Sequence, residues 1–570
     1  MMFDRRVLLA VLNLLAAADA VTNYQAQGKH GAVVSEVAEC SDIGLSMLKK
    51  GGTAADAMIA TSLCVGTIAA YHSGIGGGGF MIIRSQKKDG PGYEMIDFRE
   101  TMPAAGNETM YLANATSQLY GGLSAGVPGE LRGWEALHKA HGKLPWKSLF
   151  EPAIKLALDG YNVNADLAAA INPTSYPFLV SDPLWAETYA PHGTPLVENQ
   201  RAKRKRYAKT LEKIANHGAD AFYTGAIAER TAAAAQQSGG IMTTADLANY
   251  TVINRVPANI TYRGKYRIFS TVAPSSGSIV LSILKTFEGY NGSAQLTDPA
   301  INDTTHELIQ ATRFGYAVRQ NFGDPAFTAN VTTIEQESLT EQAAELFRSK
   351  IDNITHPINY YGLTEFTSLE EHGTSHLAVA DQYGNAISLT TTVNFFWGSR
   401  VMTEDGIILN DEMDDFSSPG SVNGFGFPAS PINFVRPFKR PQSSISSSIV
   451  EDLDSREFVM ATGSAGGSRI ITATLQHLYH HLDQGYDALQ CTHASRWHDQ
   501  LTGLTYFELP YPNLGLPGFS NATIANLVAR GYNATYEDST GSTAHVIVKK
   551  DGVFQAANDP RKSAGGPAAY

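Results

Sequence analysis

The sequence predicts a layered α/β domain with its sheets on the inside. Apolar strand-like runs occur near both ends of the chain (31–35 and 544–557), helical patterns fill the stretches between strands, and no repeat or long linker interrupts them. At 570 residues, 43% hydrophobic and 17% charged, the composition is that of a globular protein. That length also fits two to four domains, but no clean boundary appears.

In chain order, 31–35 (GAVVS) reads as a strand. Two helices follow, over 35–50 and 53–70, separated by Gly51-Gly52. SGIGGGGFMIIR is a glycine loop entering a strand, and 93–98 forms the next strand, ending at Arg99. Residues 126–249 are mostly helical, with breaks near Pro173 and Pro191. The segment 265–290 runs strand to helix with SSGS at the junction, and 305–349 is helical. After Thr374 strands dominate: a hairpin, then 406–409, 444–450 and 458–462. A long helix covers 468–481, and strands at 544–549 and 554–557 close the chain.

The net charge of −12 argues against a nucleic-acid partner. The one dense basic run, RAKRKR at 201–206, reads as a solvated helix start, with a protease-sensitive dibasic loop as the alternative. The first twenty residues have the form of a secretory leader: a charged MMFDRR, an apolar stretch from Val7 to Ala18, and Ala18-Asp19-Ala20 as cleavage site. No later window is long enough to span a bilayer. N-x-S/T sequons at Asn107, Asn114, Asn249, Asn259, Asn291, Asn302, Asn330, Asn353, Asn521 and Asn533 point the same way, to a glycosylated surface in the secretory route. The end point is expected outside the cell, with a vacuole or the cell surface as alternatives. Of the three cysteines, Cys40 and Cys64 either bridge neighbouring helices or remain buried thiols, and Cys491 is left as a buried free thiol.

The segment GTSHLAVADQYGNAISLTTTVN (373–394) carries the most chemistry. With Tyr383-Gly384-Asn385 as a three-residue loop, Gln382 faces Ala386 and Thr374 faces Asn394. Leu377, Val379, Ile387, Leu389 and Val393 then share an apolar face. Thr374, His376, Ser388, Thr390, Thr392 and Asn394 share a polar one. An ordinary hairpin with a hydroxyl-rich solvent face has the same pattern. If the chain were cut before Thr374, however, that residue would own both a nucleophilic hydroxyl and a base. An α-amine has a pKa of about 8, against about 10.4 for lysine, so part of it is neutral near pH 7.

Gly74–Gly79 spells G-x-G-x-x-G, but a helix precedes it and a strand follows, the reverse of a dinucleotide site; a tight turn between packed layers fits better. TGSAGGSR (462–469) has the strand-to-helix order that exposes N–H groups to an anion. Without a Walker lysine it suits an oxyanion, or a structural turn. His477 and His481 stand at i, i+4 without the other ligands of a zinc site, and read as exposed helix histidines. Glu412, Asp414 and Asp415 form an acidic cluster suited to a cationic amine or a metal, and without histidine or further carboxylates at ligand spacing the amine fits better. No metal or cofactor is expected.

SGIGGGGFM, IDFRE, the hairpin, NDEMDDFSSPG, RPQSSIS and TGSAGGSRI, in that order, resemble the γ-glutamyltransferase (glutathione hydrolase) family over nearly the whole mature chain. The resemblance implies an N-terminal-nucleophile hydrolase with a four-layer αββα sandwich. It also implies autocatalytic cleavage between Gly373 and Thr374, which with the leader read at 1–20 gives a large (21–373) and a small (374–570) subunit that remain a heterodimer. By the same resemblance Thr374 attacks the γ-glutamyl carbonyl, Thr392 orients it, and Gly466 and Gly467 supply oxyanion N–H groups. Arg99 holds the α-carboxylate with Ser443 and Ser444 beside it, and Asn394, Glu412 and Asp415 bind the α-ammonium. The substrates implied are glutathione and other γ-glutamyl compounds, with water or the amine of an amino acid or dipeptide as acceptor. Glu412 is glutamine in some bacterial relatives, and the stretch after Asp415 looks eukaryotic rather than like the bacterial lid, which leaves the acceptor preference open. Within the same fold, an acylase for dicarboxylic side chains is the rival enzyme, and an unprocessed binding protein the rival outside enzymes.

Overall fold

The computed structural model describes residues 24–88, 90–293, 299–366, 373–422, 426, 428–537 and 541–570. The leader expected at 1–20 lies outside the described residues. Fourteen strands build the two main sheets: β1 (Gln25–Gly28), β2 (Gly31–Ser35), β3 (Gly78–Lys87), β4 (Gly90–Asp97), β5 (Ile253–Arg255), β6 (Ala258–Tyr262), β7 (Tyr266–Ser270), β8 (Thr374–Asp381), β9 (Ala386–Thr392), β10 (Ser448–Asp452), β11 (Phe458–Ala465), β12 (Thr543–Lys550), β13 (Val553–Ala557) and β14 (Gly566–Ala569). One sheet runs β14-β2-β8-β9-β3-β4-β5 and the other β1-β13-β12-β11-β10-β7-β6.

Side-chain alternation along these strands creates the layers. Outward residues of the first sheet (Val33, Met81, Leu377, Val379, Ile387, Leu389) share a core with α1 (Ala38–Lys49) and α2 (Ala54–Ile68). Those of the second (Ile260, Ile268, Met460, Val546) pack on α3 (Gly277–Phe287), α4 (Ile301–Arg319) and α5 (Arg469–Leu482). The inner faces meet through an apolar cluster in which alanines (Ala32, Ala378, Ala380, Ala461, Ala556) alternate with larger residues such as Val34, Ile449 and Ile547. The result is the αββα sandwich. Asp56, at the third position of α2, accepts the N–H of Thr53 at 2.8 Å, half of a capping box that starts the helix after the Gly51-Gly52 break.

The hairpin departs from the expected register by two residues: Thr374 pairs with Thr392, and Ala380 with Ala386. Asp381 is the reason. Its carboxylate accepts the N–H groups of Tyr383 (2.8 Å) and Asn385 (3.0 Å), so the loop is Gln382-Tyr383-Gly384, with Gly384 at φ +87°. A two-residue shift preserves the faces, and both are buried. The hydroxyl-rich face points into the gap between the sheets, where Ser388 donates to the carbonyl of Thr462 at 2.8 Å.

Three other expectations change. Residues 406–409 form only a bridge, Met402 to Ile408, because Gly406 turns the chain at φ +76°. The strand expected from 444 begins at Ser448, since residues 443–445 bond instead to the SSGS junction: Ser443 N–H to Pro274 C=O (2.8 Å) and Ser276 N–H to Ile445 C=O (2.8 Å). Within RAKRKR, Arg204 is buried and donates to the carbonyls of Gly66 (2.7 Å) and Gly406 (2.9 Å), so it is a structural arginine rather than a solvated one.

Cys40 and Cys64 form a disulfide joining α1 to α2, and Cys491 is free and buried. Closing a loop with a sequence separation of 24 stabilises by about 3 kcal/mol in the chain-entropy account. Replacing both residues by alanine should therefore lower the calorimetric melting temperature; an unchanged transition would show that the bridge carries no such load.

Candidate active site

Thr374 opens β8 and is nearly buried. Its cross-strand neighbour Thr392 donates from Oγ1 to the carbonyl of Gly373 (3.1 Å) and accepts the N–H of Asn394 (2.7 Å). Asn394 sits in the left-handed region at φ +69°, which asparagine tolerates, and its Nδ2 donates to Asp411 C=O at 3.1 Å. The close approach of the glycine loop fixes the Thr392 backbone: a Cβ at Gly77 would stand 2.0 Å from the Thr392 carbonyl oxygen. The G-x-G-x-x-G stretch thus works as a tight turn between α2 and β3.

Arg99 follows β4 and is fully buried. Its guanidinium pairs with Glu412 through NH1 and with Asp415 through NH2, and it also donates to the Gln442 carbonyl at 3.1 Å. Burial works against the charge, but Glu412 and Asp415 outweigh it and raise the Arg99 pKa. The two acids lie at the ends of one short 3-10 turn (Glu412–Asp415). Burial pushes the Glu412 carboxyl up, to about 8, with Arg99 opposing and Asp415 reinforcing the shift. Glu412 Oε2 is buried with no hydrogen-bond partner among the described residues.

Between β11 and α5, Gly466 (φ +121°) and Gly467 (φ +56°) make the turn. A Cβ at Gly466 would stand 2.5 Å from the Gly541 carbonyl oxygen, so the turn admits no side chain there. Nine of the ten residues named from the sequence (Arg99, Thr374, Thr392, Asn394, Glu412, Asp415, Ser443, Ser444 and Gly467) line one narrow polar cavity. Gly466 lines a second cavity of about 360 Å³ that also includes Thr374. This larger space is walled by Tyr120, Tyr176, Phe395 and Phe396, and holds the cations Arg400 and Lys562.

One charged residue of the narrow cavity escaped the sequence reading. Arg319, the last residue of α4, is buried there, and burial together with the like charge of Arg99 lowers its pKa to about 10. No signal in the sequence marks it: α4 also carries Asp303, His306, Glu307, Gln310 and Arg313, and a basic residue in the last turn is ordinary at a helix C-terminus. His477 also differs from expectation. It is buried rather than exposed, and its Nδ1 lies 3.1 Å from Thr462 Oγ1, because α5 lies flat on the second sheet. Among the described residues no group of three or more His, Cys, Asp or Glu side chains is placed to hold a metal ion.

The family model of gamma-glutamyltranspeptidase matches residues 40–569. A glutathione hydrolase proenzyme of Arthroderma benhamiae is 44% identical over 552 residues, covering 94% of this chain and 92% of its own. Among solved structures, a cephalosporin acylase from Bacillus halodurans superposes with TM-score 0.82 at 24% identity, covering 96% of this chain and 97% of its own, a likeness of fold alone. The gamma-glutamyltranspeptidase of Helicobacter pylori gives TM-score 0.52 at 30% identity, over 56% of this chain and 91% of its own. With its αββα sandwich of the N-terminal-nucleophile hydrolase type, and with a family match that takes in twelve of the fourteen strands and both cavities, the chain belongs to the gamma-glutamyltranspeptidase family of enzymes.

Proposed function

We propose that this γ-glutamyl hydrolase and transferase matures by cutting itself before Thr374, and then cleaves the γ-glutamyl amide of glutathione and its conjugates with that residue. The observation that carries the reading is the position of Thr374 between a narrow cavity holding a guanidinium and two carboxylates, and a wide aromatic one. A γ-glutamyl donor is a zwitterion with a distal amide. Its α-carboxylate takes N–H donors from Arg99 and hydroxyls from Ser443 and Ser444. Its α-ammonium takes Glu412, Asp415 and the Asn394 side-chain oxygen. The amide then reaches Thr374 and the leaving group enters the wide cavity.

In maturation the Thr374 hydroxyl attacks the Gly373 carbonyl, whose oxygen already accepts from Thr392 Oγ1. The C–N bond breaks as the nitrogen takes the proton, which frees the α-amine, and water hydrolyses the resulting ester to release the Thr374 hydroxyl and the Gly373 carboxylate. That amine then accepts the hydroxyl proton as Thr374 attacks the donor, while the Gly466 and Gly467 N–H groups bind the oxyanion. The acyl-enzyme is resolved by water or by an amino acid or dipeptide amine. The cut leaves both sheets paired, because β8 lies between β2 and β9, and β10 pairs with β7, so the two chains stay together. The relative from Arthroderma benhamiae is called a glutathione hydrolase proenzyme, which fits this route. An acylase for dicarboxylic side chains is disfavoured, since such acyl groups bring no ammonium to Glu412 and Asp415.

A denaturing gel of purified protein is expected to show two chains, the smaller with Thr374 as its first residue by Edman sequencing; one uncleaved band in an active preparation would refute the scheme. Entry to the secretory route fits the exposure of the sequons, all but the half-buried Asn302 lying on the surface, and no described helix is long and apolar enough to cross a membrane.

Glu412 gives the binding step a pH signature. With its carboxyl pushed up to about 8 by burial against the opposing Arg99, the anionic fraction of Glu412 grows as pH rises through this range. Only the anion attracts the donor ammonium, so KM for γ-glutamyl-p-nitroanilide should fall as pH rises through this range. Glu412→Gln should remain active and lose that limb of the KM profile; an identical profile in the variant would assign the limb to another group.

A further inference from the structure

Arg319 donates from Nε to Ser276 Oγ (3.1 Å) and from NH2 to Ser444 Oγ (3.2 Å). Ser276 Oγ in turn donates to the Ser443 carbonyl at 2.6 Å, and the Gln442 side chain donates to the Arg319 carbonyl at 2.9 Å. The guanidinium and backbone of one residue at the end of α4 thus grip the 442–444 segment from two sides. The SSGS junction supplies the intermediate link.

The direction of the bond to Ser444 matters most. A guanidinium only donates, so Arg319 must use a lone pair of the Ser444 hydroxyl. A hydroxyl has a single proton, and with Arg319 at its acceptor side that proton is left to point elsewhere. Accepting from a charged donor also makes the hydroxyl a stronger donor. Arg319 and Arg99 line the same cavity, so the serine pair lies in the field of two positive charges.

We propose that Arg319 is a positioning residue for donor recognition: by donating to Ser444 it aims that hydroxyl at the α-carboxylate, and it provides the second positive charge of a carboxylate cradle whose first is Arg99. The inference rests on the narrow cavity being the donor's α-amino-acid site. It assigns part of the enzyme's selectivity for donors with a free α-carboxylate to a residue that acts through Ser444 and through its own charge in the same cavity.

The test compares γ-glutamyl-p-nitroanilide with γ-aminobutyryl-p-nitroanilide, which lacks the α-carboxylate, in wild-type enzyme and in Arg319→Met, Arg319→Lys and Ser444→Ala. Arg319→Met is expected to raise KM for the γ-glutamyl donor about 10-fold with kcat nearly unchanged, and to shrink the preference between the two donors by the same factor. Arg319→Lys, which keeps the charge but not the fork, should fall between. Combining Arg319→Met with Ser444→Ala should cost less than the sum of the two single losses, the shortfall being the part of the Arg319 effect that runs through Ser444. Equal losses on both donors, or additive losses in the double variant, would overturn the proposal in favour of a structural role. Should Arg319→Met fail to mature, Arg319→Lys and Ser444→Ala decide by the same donor ratio. A wild-type enzyme with no preference between the donors would instead sink the assignment of the cavity itself.

Discussion

Thr374→Ala is expected to leave the chain as a single uncut polypeptide and to lower γ-glutamyl-p-nitroanilide turnover by at least about 10⁴-fold, the scale seen when a covalent nucleophile is removed. Both losses follow from one atom, because the hydroxyl that attacks Gly373 in the precursor is the hydroxyl that attacks the donor in the mature enzyme. Folding should survive. Alanine keeps the Cβ of Thr374, loses one hydroxyl and one methyl at the end of β8, and leaves the pairing of β8 with β2 and β9 untouched. Thr374→Ser supplies the control: it retains a hydroxyl and an α-amine and should mature and turn over at a reduced rate. Cleavage or turnover in Thr374→Ala, read on the gel and in the p-nitroaniline assay, would mean that another residue is the nucleophile.

The hairpin shows how far the letters reach. Alternation alone separated the faces correctly, since a shift of two residues leaves every side chain on its side. It did not identify which residue faces Thr374, because that depends on Asp381 capturing the Tyr383 and Asn385 amides, a local contest between two three-residue loops. Nor did it show that the polar face would be buried. A strand face of threonine and serine looks solvent-exposed until a second sheet is laid over it, and Thr462 and Ser447 supply partners from more than fifty residues away. The Arg99 guanidinium and the Glu412 and Asp415 carboxylates of the cavity were legible through ordered motifs. Arg319 was not, since a single arginine at a helix end has no spacing to announce it. Its destination, Ser444, is visible only once α4 and the 442–445 segment are folded together.

Arg99 should be the second most damaging position, for reasons of both binding and folding. It is the guanidinium that pairs with Glu412 and Asp415, and the one the donor's α-carboxylate would meet. Arg99→Met removes the carboxylate's planar fork and leaves Glu412 buried beside Asp415 without its cation. Deleting one partner of a buried, hydrogen-bonded charge pair costs about 3–4 kcal/mol, which corresponds to a fall of roughly 10²–10³-fold in kcat/KM. The same deletion should lower the thermal midpoint, because Glu412 is fully buried and its desolvation is no longer offset. Arg99→Lys separates the two effects. Its ammonium restores charge balance to the acids, so stability should recover, but a point charge cannot engage Glu412, Asp415 and a carboxylate in one plane, so KM should stay high. The result that would refute this account is Arg99→Lys recovering wild-type KM together with wild-type stability, for then charge alone, and not the fork, would read the donor.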